Sequence, residues 1–280
     1  MKRILSMFLA VTLIATMLSC VCGLSVSAAT YDVAEAFASG TGTSDDPYVI
    51  ETVEQLALLA QKVNSADEND AEYASACYKL GANIVMNENV LKSDNMVNGT
   101  ISKYGELANL ADGSVPFVWT PIGNSNKTMF SGVFDGDGHS ISGMYSKGGY
   151  CGLFGFIKDA TIKNLKLVDF YSYGTANEGN AGVATSADGT TTFSDLWVNG
   201  HVSQFNNAMP SALLVGSVSG NVTFTNCISN GIAKGIDCRE NTLSNEIPSY
   251  RSIGTATGFV GQLSQNSKTV FDNCVNNASV

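Results

Sequence analysis

The sequence predicts an all-β fold, a right-handed parallel β-helix with a short N-terminal capping helix. Three observations carry that expectation. Charged residues make up only 14% of the 280 residues and glycine occurs 28 times, a composition unlike that of coiled coils or helical bundles. Beyond Phe130 the chain is a succession of short β-prone runs punctuated by Gly, Asn and Asp. Those runs form an internal repeat.

The repeat reads Thr161-Ile162-Lys163-Asn164-Leu165, Thr192-Phe193-Ser194-Asp195-Leu196, Thr223-Phe224-Thr225-Asn226-Cys227 and Val270-Phe271-Asp272-Asn273-Cys274, and Ser140-Ile141-Ser142-Gly143-Met144 fits as an earlier copy. Its central residues, Gly143, Asn164, Asp195, Asn226 and Asn273, are 21, 31, 31 and 47 residues apart. Apolar side chains sit two before and one after each centre. A flat strand places alternate residues on one face, so a step of three requires a bend at the centre. Gly, Asn and Asp best tolerate the left-handed backbone such a bend needs. Strand, bend and strand recurring at this period describe the coils of a β-helix. Stacked coils set the bend residues above one another as a hydrogen-bonded ladder.

The elements follow in chain order. Residues 1–29 read as a secretory signal peptide: Lys2 and Arg3, an apolar run from Ile4 to Leu18, then small residues before cleavage at Ala28 or Ala29. The rival is a lipoprotein signal with Cys20 as the lipidated residue, for which Met17-Leu18-Ser19-Cys20 is a poor lipobox. Removing Lys2 and Arg3, two of 15 basic residues facing 25 acids, takes the net charge from −10 to −12. That balance excludes a nucleic-acid partner, and no later segment is long and apolar enough for a transmembrane span. Residues 30–48 form a lead-in of turn chemistry, and 49–280 form the β-helix domain. Within that domain Val53, Leu56, Leu59, Ala60 and Val63 share one helical face behind a Thr52–Gln55 capping box, so the capping helix is placed at 52–64. Residues 87–116 read as a long polar loop, and the 47-residue interval implies a side insertion at about 236–255.

The runs Gly152-Leu153-Phe154-Gly155 and Ala160-Thr161-Ile162-Lys163-Asn164-Leu165 resemble the GLUG repeat. Phe134-Asp135-Gly136-Asp137-Gly138-His139-Ser140-Ile141-Ser142-Gly143 and Trp119-Thr120-Pro121-Ile122-Gly123 are similar to it too, as is the opening from Gly42 to Ile50. Thr185 departs from the pattern, standing where its second glycine belongs. The resemblance spans most of residues 38–280. It implies a bacterial secreted or surface β-helix protein, of the kind that includes the non-catalytic N-terminal region of IgA-specific metalloendopeptidases, and it transfers no catalytic residue.

The candidate chemistry is sparse, and no catalytic residue, metal ligand or cofactor is assigned. Asp135-Gly136-Asp137-Gly138 invites a calcium loop, but His139 and Ser146 occupy the fifth and twelfth positions, where ligands belong. A glycine-rich turn is the better reading. His139 and His201 are the only histidines and form no His-Glu-x-x-His pair; both are expected at the surface or in turns. Asp169, Tyr171 and Tyr173, beside Tyr145, Tyr150 and Phe170, form a candidate ligand-binding face where tyrosines stack on sugars. Arg239 and Arg251 form an alternative anionic-ligand site in the insertion, as a lyase acting on uronates requires. Trp119 is expected in the core and Trp197 on the coil surface. Cys227 and Cys274 share the inward column of Leu165 and Leu196 and are expected as free thiols.

The expected function is therefore a secreted or cell-surface non-catalytic module for adhesion, ligand binding or scaffolding, with glycans or a host or cell-surface protein as partners. A carbohydrate-active enzyme, a polysaccharide lyase or hydrolase, is the alternative. Because the chain stops seven residues after Asn273, inside a repeat, it is expected to continue in the natural protein or to self-associate through an open C-terminal coil.

Overall fold

The computed structural model describes residues 31–102, 105–175, 179–204, 210–235, 256–265 and 267–280. The expected signal peptide over 1–29 and the side insertion over 236–255, with Arg239 and Arg251, lie outside the described residues.

The fold is mostly β, with its main sheets parallel. Helix α1 (Val53–Asn64) begins one residue inside the expected span, with Thr52 as its N-cap. The Thr52 hydroxyl accepts the Gln55 N–H at 3.3 Å, and the Gln55 side chain accepts the Glu51 N–H at 2.7 Å. The box is thus closed one residue further upstream than the usual reciprocal pair. Leu56, Leu59, Ala60 and Val63 bury the apolar face in the same core cluster as Ile50, Tyr78 and Leu80.

Successive repeats pair strand on strand. A first sheet orders Tyr48–Ile50, Cys77–Leu80, Val133–Asp135, Thr161–Lys163, Thr190–Ser194, Asn221–Thr225 and Lys268–Asp272, all parallel. The second runs through Ile84–Val85, Ser140–Ser142, Lys166–Gly174, Trp197–Gln204, Ile228–Gly235 and Val275–Asn276. The third stacks Phe154–Lys158, Ala184–Asp188, Val215–Val218 and Val260–Leu263; a short fourth holds Asn180–Ala181, Ser211–Ala212 and Ala256–Thr257. Period-2 alternation turns one residue of each triplet inward. Tyr78, Phe134, Ile162, Phe193, Phe224 and Phe271 therefore form one column. Phe193 and Phe224 stack at 4.8 Å and 5°, Phe224 and Phe271 at 5.0 Å and 13°. Phe193 and Phe224 are fully buried, each worth about 1.5–3 kcal/mol.

The bend residues are left-handed as expected: φ is +72° at Gly143, +52° at Asn164, +54° at Asp195, +54° at Asn226 and +49° at Asn273. Asn226 donates to the Asp195 carboxylate at 2.9 Å and accepts from the Asn273 amide at 2.8 Å. Asn164 donates at 2.9 Å to Asp135, one residue ahead of the corner in the previous repeat. Gly143 does not belong in this ladder. Asp135 pairs with Lys163 and Ser140 with Lys166, so the four residues Gly136 to His139 occupy the corner that Asn164 and Leu165 fill. Gly143 follows Ser142, the partner of Val168, and so lies beside Asp169 at a second corner. Both corners carry an apolar residue two before and one after the bend (Ile162 and Leu165 at the first, Ile141 and Met144 at the second), so the local pattern alone does not separate them.

The 87–116 segment is more structured than a polar loop. Gly99–Ile101 pairs antiparallel with Leu107–Leu110, and Val90, Leu91, Val97, Leu107 and Leu110 are buried in a small cluster of their own with Tyr145, Tyr171 and Tyr173. Trp119 is 2% exposed and Trp197 40%, matching their expected places. Cys77, Cys151, Cys227 and Cys274 are free thiols. Burial pushes the Cys151 and Cys227 thiols up to about 12. Among the described residues no helix is long and apolar enough to cross a membrane.

Asn226→Val is expected to cost about 2–4 kcal/mol, because a β-branched residue at positive φ is strained and two ladder bonds are lost. Asn226→Gly keeps the backbone freedom and is expected to cost only about 1 kcal/mol; urea unfolding of both variants checks the ordering. In the native protein a thiol reagent at pH 8 is expected to modify Cys77 and Cys274 well before Cys151 and Cys227, with peptide mapping as the readout.

Candidate functional site

Asp169 interrupts the pairing of Lys166–Gly174 with its neighbour, producing a bulge between Val168 and Phe170 at a φ of +52°. The bulge aims the carboxylate at the 87–116 segment, where it accepts the Leu91 N–H at 2.7 Å and the Val90 N–H at 3.1 Å. Burial holds this carboxyl above the usual carboxylate range, with the two N–H bonds pulling the other way and Glu88 adding to the rise. Tyr171 stacks on Tyr145 at 5.8 Å and 4°, and Tyr173 lies 6.1 Å from Tyr171. The Tyr171 hydroxyl donates to the Gly105 carbonyl at 2.6 Å, and the Tyr145 hydroxyl accepts from the Leu107 N–H at 3.1 Å.

These contacts correct the expected sugar-stacking face. Tyr171 and Tyr173 are each 2% exposed, and Asp169 caps backbone N–H groups rather than awaiting hydroxyls. The apolar side chains of 87–116 bury themselves against the tyrosine faces, which supply the surface they need. His201 is likewise not at the surface: it is 4% exposed, its ring edge-on to Tyr171 at 5.4 Å. Nδ1 lies 3.0 Å from the Asn95 carbonyl, so the neutral ring carries its proton there as donor. Burial pulls the His201 pKa below the ordinary histidine value, and Lys234 adds to the fall. His139 lies in the Gly136–His139 turn as expected, where its N–H donates to the Gly136 carbonyl at 2.8 Å. In that turn Asp135 is engaged by Lys163 Nζ at 3.1 Å and by the Asp137 N–H at 2.9 Å. Among the described residues no three His, Cys, Asp or Glu side chains converge on a metal position.

A feature with no counterpart among the sequence motifs lies beside α1. A cleft of about 450 Å³ opens between the helix, through Ala57, Gln61 and Asn64, and the 117–124 segment, with Tyr31 and Phe117 among its walls. Its two sides are pinned. Asn64 donates to the Pro121 carbonyl at 2.9 Å and accepts from the Asn124 N–H at 2.9 Å. The Asn87 side chain brackets Phe117, accepting from its N–H at 2.7 Å and donating to its carbonyl at 3.1 Å. Trp119 Nε1 donates to the Leu153 carbonyl at 3.1 Å, and the Tyr31 hydroxyl donates to the Met86 carbonyl. No local pattern announces this cleft, because its walls come from three segments far apart in sequence.

Comparison with known proteins bears on the fold. No protein-family model matches the chain, and no curated protein does. A solved structure from Bacteroides ovatus, named as a "putative immunoglobulin A1 protease", is similar with a TM-score of 0.55 and 16% identity. The likeness covers 86% of this chain and 59% of that one. At this identity it speaks for the fold alone, a mostly β architecture with parallel sheets.

A histidine whose pKa is lower folded than unfolded supports stability fully above its unfolded value, about 6.5, and loses that support as the pH falls below it. Acidification from pH 7.5 to 5.5 is therefore expected to lower the melting temperature, and His201→Gln is expected to flatten that limb. Asp169→Ala is expected to speed amide exchange across Val90 and Leu91 while exchange in the first sheet is unchanged, as mass spectrometry of exchanged peptides would read.

Proposed function

We propose that the chain is a secreted or cell-surface, non-catalytic module for adhesion, ligand binding or scaffolding, built as a right-handed parallel β-helix with α1 as its N-terminal cap. The observation that carries this reading is the unbroken in-register pairing of repeats from Val133–Asp135 to Lys268–Asp272. Such a stack turns outward straight rows of short polar side chains, as in Thr161, Thr192 and Thr223, and long regular faces of this kind suit extended contact with a glycan or a surface protein. The GLUG-like runs and the signal-like pattern of residues 1–29 support secretion. The Bacteroides protein, whose name includes a protease, is longer, and this chain is read as corresponding to a part that recognises rather than cleaves.

The same reading includes self-association through the last repeats. Leu263, Phe271 and Val275 are 54%, 49% and 45% exposed, an apolar surface on the outermost strands of the described sheets. Two experiments test the proposal. Fractionation of the native host is expected to place the protein outside the cytoplasm, and a glycan array beside reducing-sugar and unsaturated-product assays is expected to show no turnover. Turnover lost in Arg239→Ala or Arg251→Ala overturns the reading in favour of a lyase. Light scattering is expected to show concentration-dependent association, and a clean monomer at high concentration removes that part of the proposal.

A further inference from the structure

Among the described residues, the cleft beside α1 is a concavity whose walls are fixed in position and chemically mixed. Four separate hydrogen-bonded clasps, at Asn64, Asn87, Trp119 and Tyr31, fix the 117–124 segment and the lead-in relative to the helix and the β stack. A gap between a helix and a loosely tethered segment closes by collapse, since apolar surface drives it shut. Here those bonds set where the segment sits relative to the helix. Its volume of about 450 Å³ falls within the range of small-ligand sites, about 300–1,000 Å³.

The lining sets the chemistry of what fits. Tyr31 and Phe117 are half-buried, their rings packed on one another, and Ala57 adds apolar surface, whereas Gln61, Thr120 and Asn124 are exposed lining residues. The Gln61 amide and the Thr120 hydroxyl make no side-chain hydrogen bond to the described residues. No side chain of Asp, Glu, Lys, Arg or His is among the described residues that line the cleft. A charged ligand would be stripped of water with no counter-charge to meet it. A wholly apolar one would cover the rim amides and leave them without partners. The lining fits an uncharged molecule with an apolar face toward the rings and hydroxyls or amides at its edge.

We propose that this cleft is a binding site for a neutral saccharide unit, its ring face against Tyr31 and Phe117 and its hydroxyls on Gln61, Thr120 and Asn124. The assignment rests on the reading of the chain as a non-catalytic ligand-binding module and replaces the tyrosine face, which is covered.

The test uses the mature chain and isothermal titration with cellobiose, maltose and di-N-acetylchitobiose, alongside galacturonic acid and adenosine as contrasts. At least one neutral disaccharide is expected to bind, with a Kd between about 1 μM and 1 mM. Ala57→Trp, which fills the cleft, is expected to abolish that binding. Gln61→Ala, an exposed change that leaves the fold intact, is expected to weaken it about fivefold or more, as loss of a rim hydrogen bond implies; circular dichroism confirms that both variants melt like the parent. Three results overturn the proposal: none of the neutral sugars binds, a sugar binds equally well to Ala57→Trp, or galacturonic acid or adenosine binds in their place. Sugar binding that survives Ala57→Trp removes this cleft and leaves the module reading standing. Sugar turnover removes the module reading, while Ala57→Trp still decides whether the cleft holds the sugar.

Discussion

A chain that must come back over its own previous pass every 30 residues or so, and pair with it in register, has to turn sharply at fixed places without losing backbone hydrogen bonds. Here that constraint falls on single residues at positive φ. Asn164, Asp195 and Asn226 each send their own N–H to the next repeat, to the carbonyls of Ser194, Thr225 and Asp272 at 2.9–3.0 Å. Side-chain amides and carboxylates then bridge most of the same corners. The inward column of Phe134, Ile162, Phe193 and Phe224 depends on those turns, because a one-residue slip would flip the pleat and expose the rings. The corner is the element from which strand direction, register and core all follow.

This explains which parts of the fold were legible in the sequence. Asn at a tight left-handed corner is both a backbone choice and a side-chain choice, so the column from Asn164 to Asn273 stood out, as did the capped helix. A corner served by glycine leaves a fainter trace. The third corner, at Asp159, Gly189 and Gly220, has φ of +54°, +64° and +92° and no shared pattern. Gly143 was legible as a bend but not as a member of the second corner, since that assignment rests on two extra residues in the Gly136–His139 turn. Thr185 stands in register with Gly155 and Gly216, and its side chain donates to the Cys151 carbonyl at 2.9 Å.

The candidate site was the least legible part, for a physical reason. Tyrosines on a strand look alike whether they face water or a covering segment, and the cover over Tyr171 and Tyr173 comes from a segment far upstream of them. Asp169 reads as a ligand-binding acid in sequence and serves in the structure as an anchor for Val90 and Leu91. Conversely, the helix residues Ala57 and Gln61 carry no signal of their own. They line the cleft because Asn64 and Asn87 fix an otherwise ordinary stretch, Phe117 to Asn124, beside them.

The first full repeats also show how indifferent the stack is to what leaves it. Tyr78 sits in register with Phe134, 56 residues later, as closely as Phe193 sits with Phe224, 31 later. Ile84 meets Ile141 across the same excursion. For a flexible excursion each doubling of length costs only about 0.6 kcal/mol of closure entropy, and the covering segment offsets part of that by burying its own side chains. The corners therefore act as splice points: sequence can be lengthened, shortened or exchanged there without renegotiating the core. A lineage built on this scaffold is free to vary what it displays while inheriting unchanged the frame that displays it.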